Sequence, residues 1–381
     1  MEALRPRPAP LEPALVRRAA SPALVVDLAA ARRNVRAVLD ALGPSATERW
    51  RPHVKTTKVP AVLDILIAEG LRRFKCATVR EARVLADRLD AAGATRADVL
   101  VAHHLHGPSL ERLAALARAR PDVAFSFLVE APEEAEGAPG GLGLFLDVDT
   151  GMGRTGVPLA ERDRLLGTAQ AAGDRLRGVH AYDGHRTESD PDARRSGIHA
   201  DTEGLLEALD ALHERGARIP ELVTAGTPAF PAASAHPALR GLEGTVHRVS
   251  PGTVVYHDLR SMAQLPELFA EPAVTVLTRV ASVRADGFTV DAGSKAVEAS
   301  GPGAIARALE RPDARALRQS EEHTVFDAAG GLPERGEVVR LVPGHVCPTV
   351  NLAETALLVE DGRLVGTQRV AARGHDAPLD D

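Results

Sequence analysis

The chain has 381 residues, more than one typical domain, and its 44% hydrophobic and 26% charged residues are ordinary for a soluble globular protein. The formal net charge of -6 is spread along the sequence without a basic block, and aromatic residues make up only 3%, which argues against a nucleic-acid partner held by phosphate contacts or base stacking. The opening MEALRPRPAPLEPALVRR is broken by proline and arginine, no run of about 18 apolar residues occurs, and Cys76 and Cys347 are too few for a disulfide framework. A reduced, cytoplasmic protein without a signal peptide or membrane span is expected.

An early strand over 23–28 comes first. From about residue 50, short apolar runs alternate with longer helical patterns. Strands are expected over 50–54, 74–77, 99–102, 123–129, 142–148, 176–182, 222–225 and 246–249. Helices are expected between them over 60–69, 80–92 and 108–119, with the longest over 194–216. Eight strands, each leading into a connecting segment, fit a (β/α)8 TIM-type barrel within the α/β class better than an open sheet. After about residue 265 the stretches AVTVLTRVASV, GFTVDAG, EVVRLVPGHVC and TALLVEDGRLVG alternate apolar and polar residues between turns, the pattern of a smaller C-terminal β-domain. One helix is expected inside it, over 302–311. The resulting division is an N-terminal segment 1–28 whose strand joins the β-domain, a barrel 29–262, and the β-domain 263–381.

In such a barrel the chemistry gathers at the C-terminal ends of the strands. RPHVK ends the first strand, and alternation sends His53 and Lys55 to one face. A lysine at the end of a buried strand, sheltered from water, is suited to forming a Schiff base. The fifth strand ends in FLDVDTGMGRTGV, where Asp147 and Asp149 alternate and a glycine-rich turn delivers Arg154, a residue able to fix an anionic oxygen. HAYDGH places Tyr182, Asp183 and His185 after the sixth strand. TAGTP after the seventh offers backbone N–H groups, with Gly226 and Thr227 as phosphate-binding candidates. PGHVCP sets His345 and Cys347 two apart on an expected strand, side chains facing one way. A nitrogen–thiolate pair favours zinc and leaves coordination positions open for catalysis. His323 in SEEHT is a weaker candidate.

Taken together, RPHVKTTK (51–58), FKCATVREA (74–82), DVDTGMGRTGV (147–157), HAYDGH (180–185), SPGTVVYHD (250–258), DAGSKA (291–296), SEEH (320–323) and PGHVCPTVNL (343–352) resemble the D-serine dehydratase and D-threonine aldolase branch of the alanine-racemase-like (fold type III) enzymes. The resemblance spans nearly the whole chain. It implies pyridoxal 5'-phosphate bound through Lys55, which also shuttles the Cα proton; His53 and Tyr182 are the further catalytic candidates at these strand ends, Tyr182 also as a cofactor contact. It further implies Arg154 on the cofactor's phenolic oxygen, Gly226 and Thr227 at its phosphate, and Tyr256 near its pyridine nitrogen. His345 and Cys347 match the branch's pair for a divalent metal, zinc first, with manganese or magnesium as alternatives. A homodimer is implied as well. Two departures stand out: Thr57 replaces a histidine usual in the branch, and VAHHLHGP, with His103, His104 and His106, matches no motif of the family.

The expected activity is a lyase acting on 3-hydroxy D-amino acids. Dehydration to a 2-oxo acid and ammonia is favoured because His-x-Cys is the ligand pair associated with the dehydratase. Retro-aldol cleavage to glycine and an aldehyde is the alternative. An amino-acid racemase or a non-catalytic carrier of the cofactor are further readings; a racemase has no use for the metal pair, and a carrier resembles a lone barrel.

Overall fold

The structure, a computed structural model, describes residues 8–298 and 303–377; the first residues of the proline-rich opening lie outside it. Packing divides the described chain into two units that interleave rather than follow a single cut near residue 262. One comprises 39–55, 67–252 and 375–377; the other comprises 8–38, 56–66, 253–298 and 303–374. The segments 29–38 and 56–66 fall to the second unit because their contacts are made there.

The first unit holds a parallel sheet in the order Arg73–Cys76, Ala97–His104, Val123–Val129, Gly143–Asp149, Leu176–Ala181, Glu221–Thr224 and Val246–Val249. The short strand Val157–Pro158 pairs beside the fourth of these. The ring closes through the segment at 50–54, which bridges both ends: Trp50 pairs with Val249 and His53 with Lys75, both parallel. Arg51 N–H donates to Val249 O, Lys75 N–H to Pro52 O and Val54 N–H to Lys75 O. Seven of the eight expected strands are present within a few residues, the segment at 50–54 forming isolated bridges in place of the first, and the barrel reading holds. Helices Val79–Ala91, Gly107–Ala119 and Pro191–Glu214 occupy the expected positions. Their starts follow from capping chemistry. Thr78 Oγ1 accepts from Glu81 N–H, and Asp190 accepts from Asp192 N–H ahead of a proline whose missing N–H costs nothing there.

Residues in register on parallel strands share a face, so pairings such as Asp147 with His180 and Leu128 with Phe145 define the barrel interior. Its contents change along the strands. Near the strand starts, fully buried Arg51 binds Glu221 (2.6 and 2.9 Å) and Asp98 (2.7 Å), and Arg248 lies 3.1 Å from Glu221. An apolar cluster of Leu100, Leu128, Phe145 and Val223 follows. Toward the C-terminal ends come Lys75, Asp147 and His180, all buried.

The second unit is built on a sheet of nine strands among the described residues. Ala23–Asp27 lies inside it, antiparallel to Val274–Arg284 and parallel to Thr355–Glu360. The helix expected over 302–311 is not formed. Pro302 lies outside the described residues, and Ala306–Ala308 is a strand paired with Val338–Pro343. Gly303 and Pro312 leave room for about two helical turns, too short to stand alone, whereas the strand satisfies its backbone on a ready neighbour.

Candidate active site

In the barrel unit three cations gather around one aromatic ring. Lys55 Nζ lies 5.9 Å, Lys75 Nζ 5.6 Å and the Arg154 guanidinium 5.0 Å from the centroid of Tyr182. Lys55 is half-buried at the end of the bridging segment, Lys75 is buried and Arg154 is exposed. The ring sits between two glycines. A Cβ on Gly184 would come 2.3 Å from Tyr182 Cε1, and one on Gly226 would come 3.1 Å from Cε2. Gly184→Ala is therefore expected to displace the ring at a cost of about 1–3 kcal/mol, read as a lower urea midpoint. An unchanged midpoint would mean the ring has room elsewhere.

Asp147 joins three side chains. Its Oδ1 meets His180 Nδ1 at 2.7 Å, and its Oδ2 meets His104 Nε2 at 3.1 Å and accepts from Thr155 Oγ1 at 2.9 Å. His180 Nε2 in turn lies 3.3 Å from Lys75 Nζ. Burial, then the neighbouring Lys55, pulls the Lys75 amine down to about 7, against the pull of Asp183 and Asp147. Burial works against Asp147's charge, but the hydrogen bonds from His104 and His180 win and hold its carboxyl well below the usual range. His53 is kept neutral by burial and by Lys55 and Lys75. Asp149 shapes the glycine loop, its Oδ1 accepting from the N–H groups of Gly151, Met152 and Gly153.

The loop after the seventh barrel strand holds Gly226 and Thr227, both buried, and Gly226 N–H donates to Asp183 Oδ1 at 3.0 Å. Burial pushes the Asp183 carboxyl up to about 6, with the Gly226 bond opposing. A primary amine beside two further cations and an aromatic ring fits a cofactor that carries an aldehyde and anionic oxygens.

In the second unit His345 and Cys347 do not share a strand. The strand ends at Pro343, His345 caps the helix Val346–Leu352, and Cys347 lies in its first turn. Pro348 explains the difference, because proline breaks a strand ladder but is accepted in a first helical turn, where its N–H has no partner to lose. The two side chains still interact, and Cys347 Sγ lies 3.0 Å from Thr56 Oγ1. Buried Asp258 takes His345 Nδ1 at 3.0 Å and Val346 N–H at 2.8 Å, which fixes the ring and leaves Nε2 for a metal. Burial disfavours the imidazolium, yet Asp258 and Cys347 together push His345 up to about 10. Nitrogen, thiolate and a carboxylate behind the histidine fit a divalent ion with open positions. Among the described residues no group of three or more His, Cys, Asp or Glu forms a complete cage. His323 is exposed in a turn, and the hydroxyl of buried Tyr256 donates to Thr57 O at 2.7 Å.

Sequence reasoning missed Lys75, His180 and Asp258 as parts of these clusters. Lys75 and His180 each lie next to the last residue of a barrel strand within a quoted motif, which was the available signal. Among the described residues no helix is long and apolar enough to cross a membrane.

The chain is similar to known proteins over most of its length. Residues 26–259 match the model of the alanine racemase N-terminal domain, and residues 273–359 match that of a putative serine dehydratase domain. The chain is 29% identical to the 3-hydroxy-D-aspartate aldolase of Paracoccus denitrificans (strain Pd 1222), covering 93% of this chain and 92% of the relative. It is 28% identical to the D-threo-3-hydroxyaspartate dehydratase of Delftia sp. (strain HT23), covering 86% and 91%. The crystal structure of D-threonine aldolase from Filomicrobium marinum superposes with a TM-score of 0.77 at 26% identity, covering 93% of this chain and 96% of that one. The fold family supports pyridoxal phosphate as cofactor. With more than half of its length matched, the chain belongs to the family of the alanine racemase N-terminal domain, in the branch that carries a serine dehydratase domain behind it.

Proposed function

We propose that this chain is a pyridoxal-phosphate- and divalent-metal-dependent lyase that dehydrates 3-hydroxy D-amino acids to 2-oxo acids and ammonia. The observation that carries the reading is the His345–Cys347 pair with Asp258 behind it, which a racemase would have no use for. The bound cofactor supplies a ring that accepts the electrons released at the substrate's Cα, and a divalent ion supplies Lewis acidity toward the β-hydroxyl. Lys55 provides the amine that holds the cofactor's aldehyde carbon and takes up the Cα proton. Arg154 would hold the phenolic oxygen, Tyr182 gives the apolar surface between the cations, and Gly226 and Thr227 would hold the phosphate. His345 Nε2 and Cys347 Sγ hold the ion, and zinc suits that pair better than manganese or magnesium.

Cys347→Ala is expected to lower bound metal and turnover together, by at least about tenfold. Full activity in metal-free variant protein would remove the Lewis-acid step. The reading as a whole is tested by products after the loaded enzyme meets D-threonine and a divalent ion. 2-Oxobutanoate with ammonia supports dehydration. Glycine with acetaldehyde supports the aldolase reading, which the aldolases among the relatives favour. Absence of both pairs overturns the lyase reading.

A further inference from the structure

Three histidines in VAHHLHGP found no role in the expected chemistry, and one of them leads into the barrel. The strand Ala97–His104 carries an irregularity in its pairing between Val101 and His104, the kind of bulge that re-aims a side chain. His104 Nε2 ends 3.1 Å from Asp147 Oδ2 and 3.7 Å from the Glu130 carboxylate, and its Nδ1 lies 3.7 Å from that of Glu134. Glu134 also lies 3.8 Å from exposed His106. Asp147 thus has a histidine on each oxygen: His104 toward the rim and His180 toward Lys75.

We propose that Lys75 is a second acid–base group of this site, poised by the His180–Asp147 dyad, whose charge is set from the barrel rim by His104. The inference rests on the reading of these strand ends as the reaction site. Asp147 holds the Nδ1 proton of His180, so that Nε2 presents a lone pair to Lys75. The Lys75 ammonium, held by the lone pair on His180 Nε2, can then give its proton to a departing group, and the neutral amine that remains takes one back from solvent, Asp147 remaining ionised throughout. Elimination needs two proton transfers at the substrate, one from Cα and one to the departing hydroxyl. Lys55 alone cannot serve both at once; Lys75 carries the second.

The charge balance around Lys75 is set by Lys55 and His53 on the bridging segment, Asp147 and Arg154 from the fifth barrel strand and its loop, and His180 and Asp183 from the sixth. The pull toward about 7 on Lys75 agrees with a group that changes protonation during turnover. Protonation of His104 is favoured: burial opposes it, but the bond to Asp147 and the charges of Asp147, Glu130 and Glu134 raise its affinity for a proton.

The test is a pH titration of lysine side chains by 15N NMR on the cofactor-free chain, with Lys75 assigned by the signal lost in Lys75→Arg. This measurement is independent of whether the lyase reading holds. One lysine should titrate near pH 7. Removing the cation in His104→Gln should move its midpoint up by about half a pH unit, and Asp147→Asn should move it down. Should Asp147→Asn fail to fold, the rim variant decides. A Lys75 that titrates near the ordinary lysine range of about 10.4, or one that ignores His104→Gln, overturns the proposal. In the loaded enzyme, Lys75→Arg should slow formation of ammonia from D-serine by at least about tenfold and displace its pH profile. An unchanged profile would mean that the pair only fills the barrel, which also overturns it.

Discussion

Lys55→Ala is expected to abolish the visible absorbance of bound cofactor and to lower turnover by at least about a thousandfold, because in the proposed mechanism Lys55 supplies both the amine and the Cα base. The competitor for this role is Lys75, which faces the same Tyr182 ring at 5.6 Å against 5.9 Å for Lys55. Borohydride reduction of the loaded enzyme followed by peptide mapping separates the two. The cofactor label is expected on Lys55, and a label on Lys75 would exchange their roles. Retained absorbance in Lys55→Ala would say the same thing by another route.

Lys75→Met has the opposite character, more stability with less function. The amine is fully buried and pulled from 10.5 to about 7 by desolvation first and by Lys55 next. The sign follows from proton binding. Between pH 7 and 10.5 the unfolded chain holds a proton on this lysine that the folded chain has given up, so stability rises with pH across that window. Below pH 7 both states are protonated and the full penalty stands; above 10.5 it is gone. At pH 7 the penalty is on the order of 4 kcal/mol, and the loss of the His180 contact offsets about 1 kcal/mol of the gain. Denaturant titrations should show the variant more stable at pH 7, with the difference from the parent shrinking as pH climbs toward 10.5. A variant less stable than the parent at pH 7 would mean the lysine is better solvated in the barrel than its burial indicates.

Much of the fold could be read from pattern because its causes are local. Seven apolar runs became barrel strands, an eighth at 50–54 became the bridging segment, and the alternating stretches after 265 became the second sheet. Two misreadings share one cause. At 302–311 and at 345–347 short segments satisfied either period, and the decision lay with distant partners or with a proline. Lys55, Arg154 and Tyr182 stood out because motif and strand-end position agree, and the structure brings the three together. Lys75 and His180 were harder, since they meet across the barrel from strands about a hundred residues apart (|i−j| = 105), a pairing that no periodicity announces.

The barrel closes at 50–54 through isolated bridges rather than a continuous ladder, and this is the segment that delivers Lys55. Side chains do most of the fastening there. Trp50 Nε1 donates to Pro251 O, Ser250 Oγ donates to Arg51 O, and the Arg51 guanidinium is locked to Glu221 and Asp98. Such a closure behaves like a zip fastener held by its studs. Local opening there is governed by the Arg51 ion pairs, and amide exchange along the segment reports on them. The aim of the Lys55 amine is thus secured from the opposite end of the barrel interior, by ion pairs buried near the strand starts.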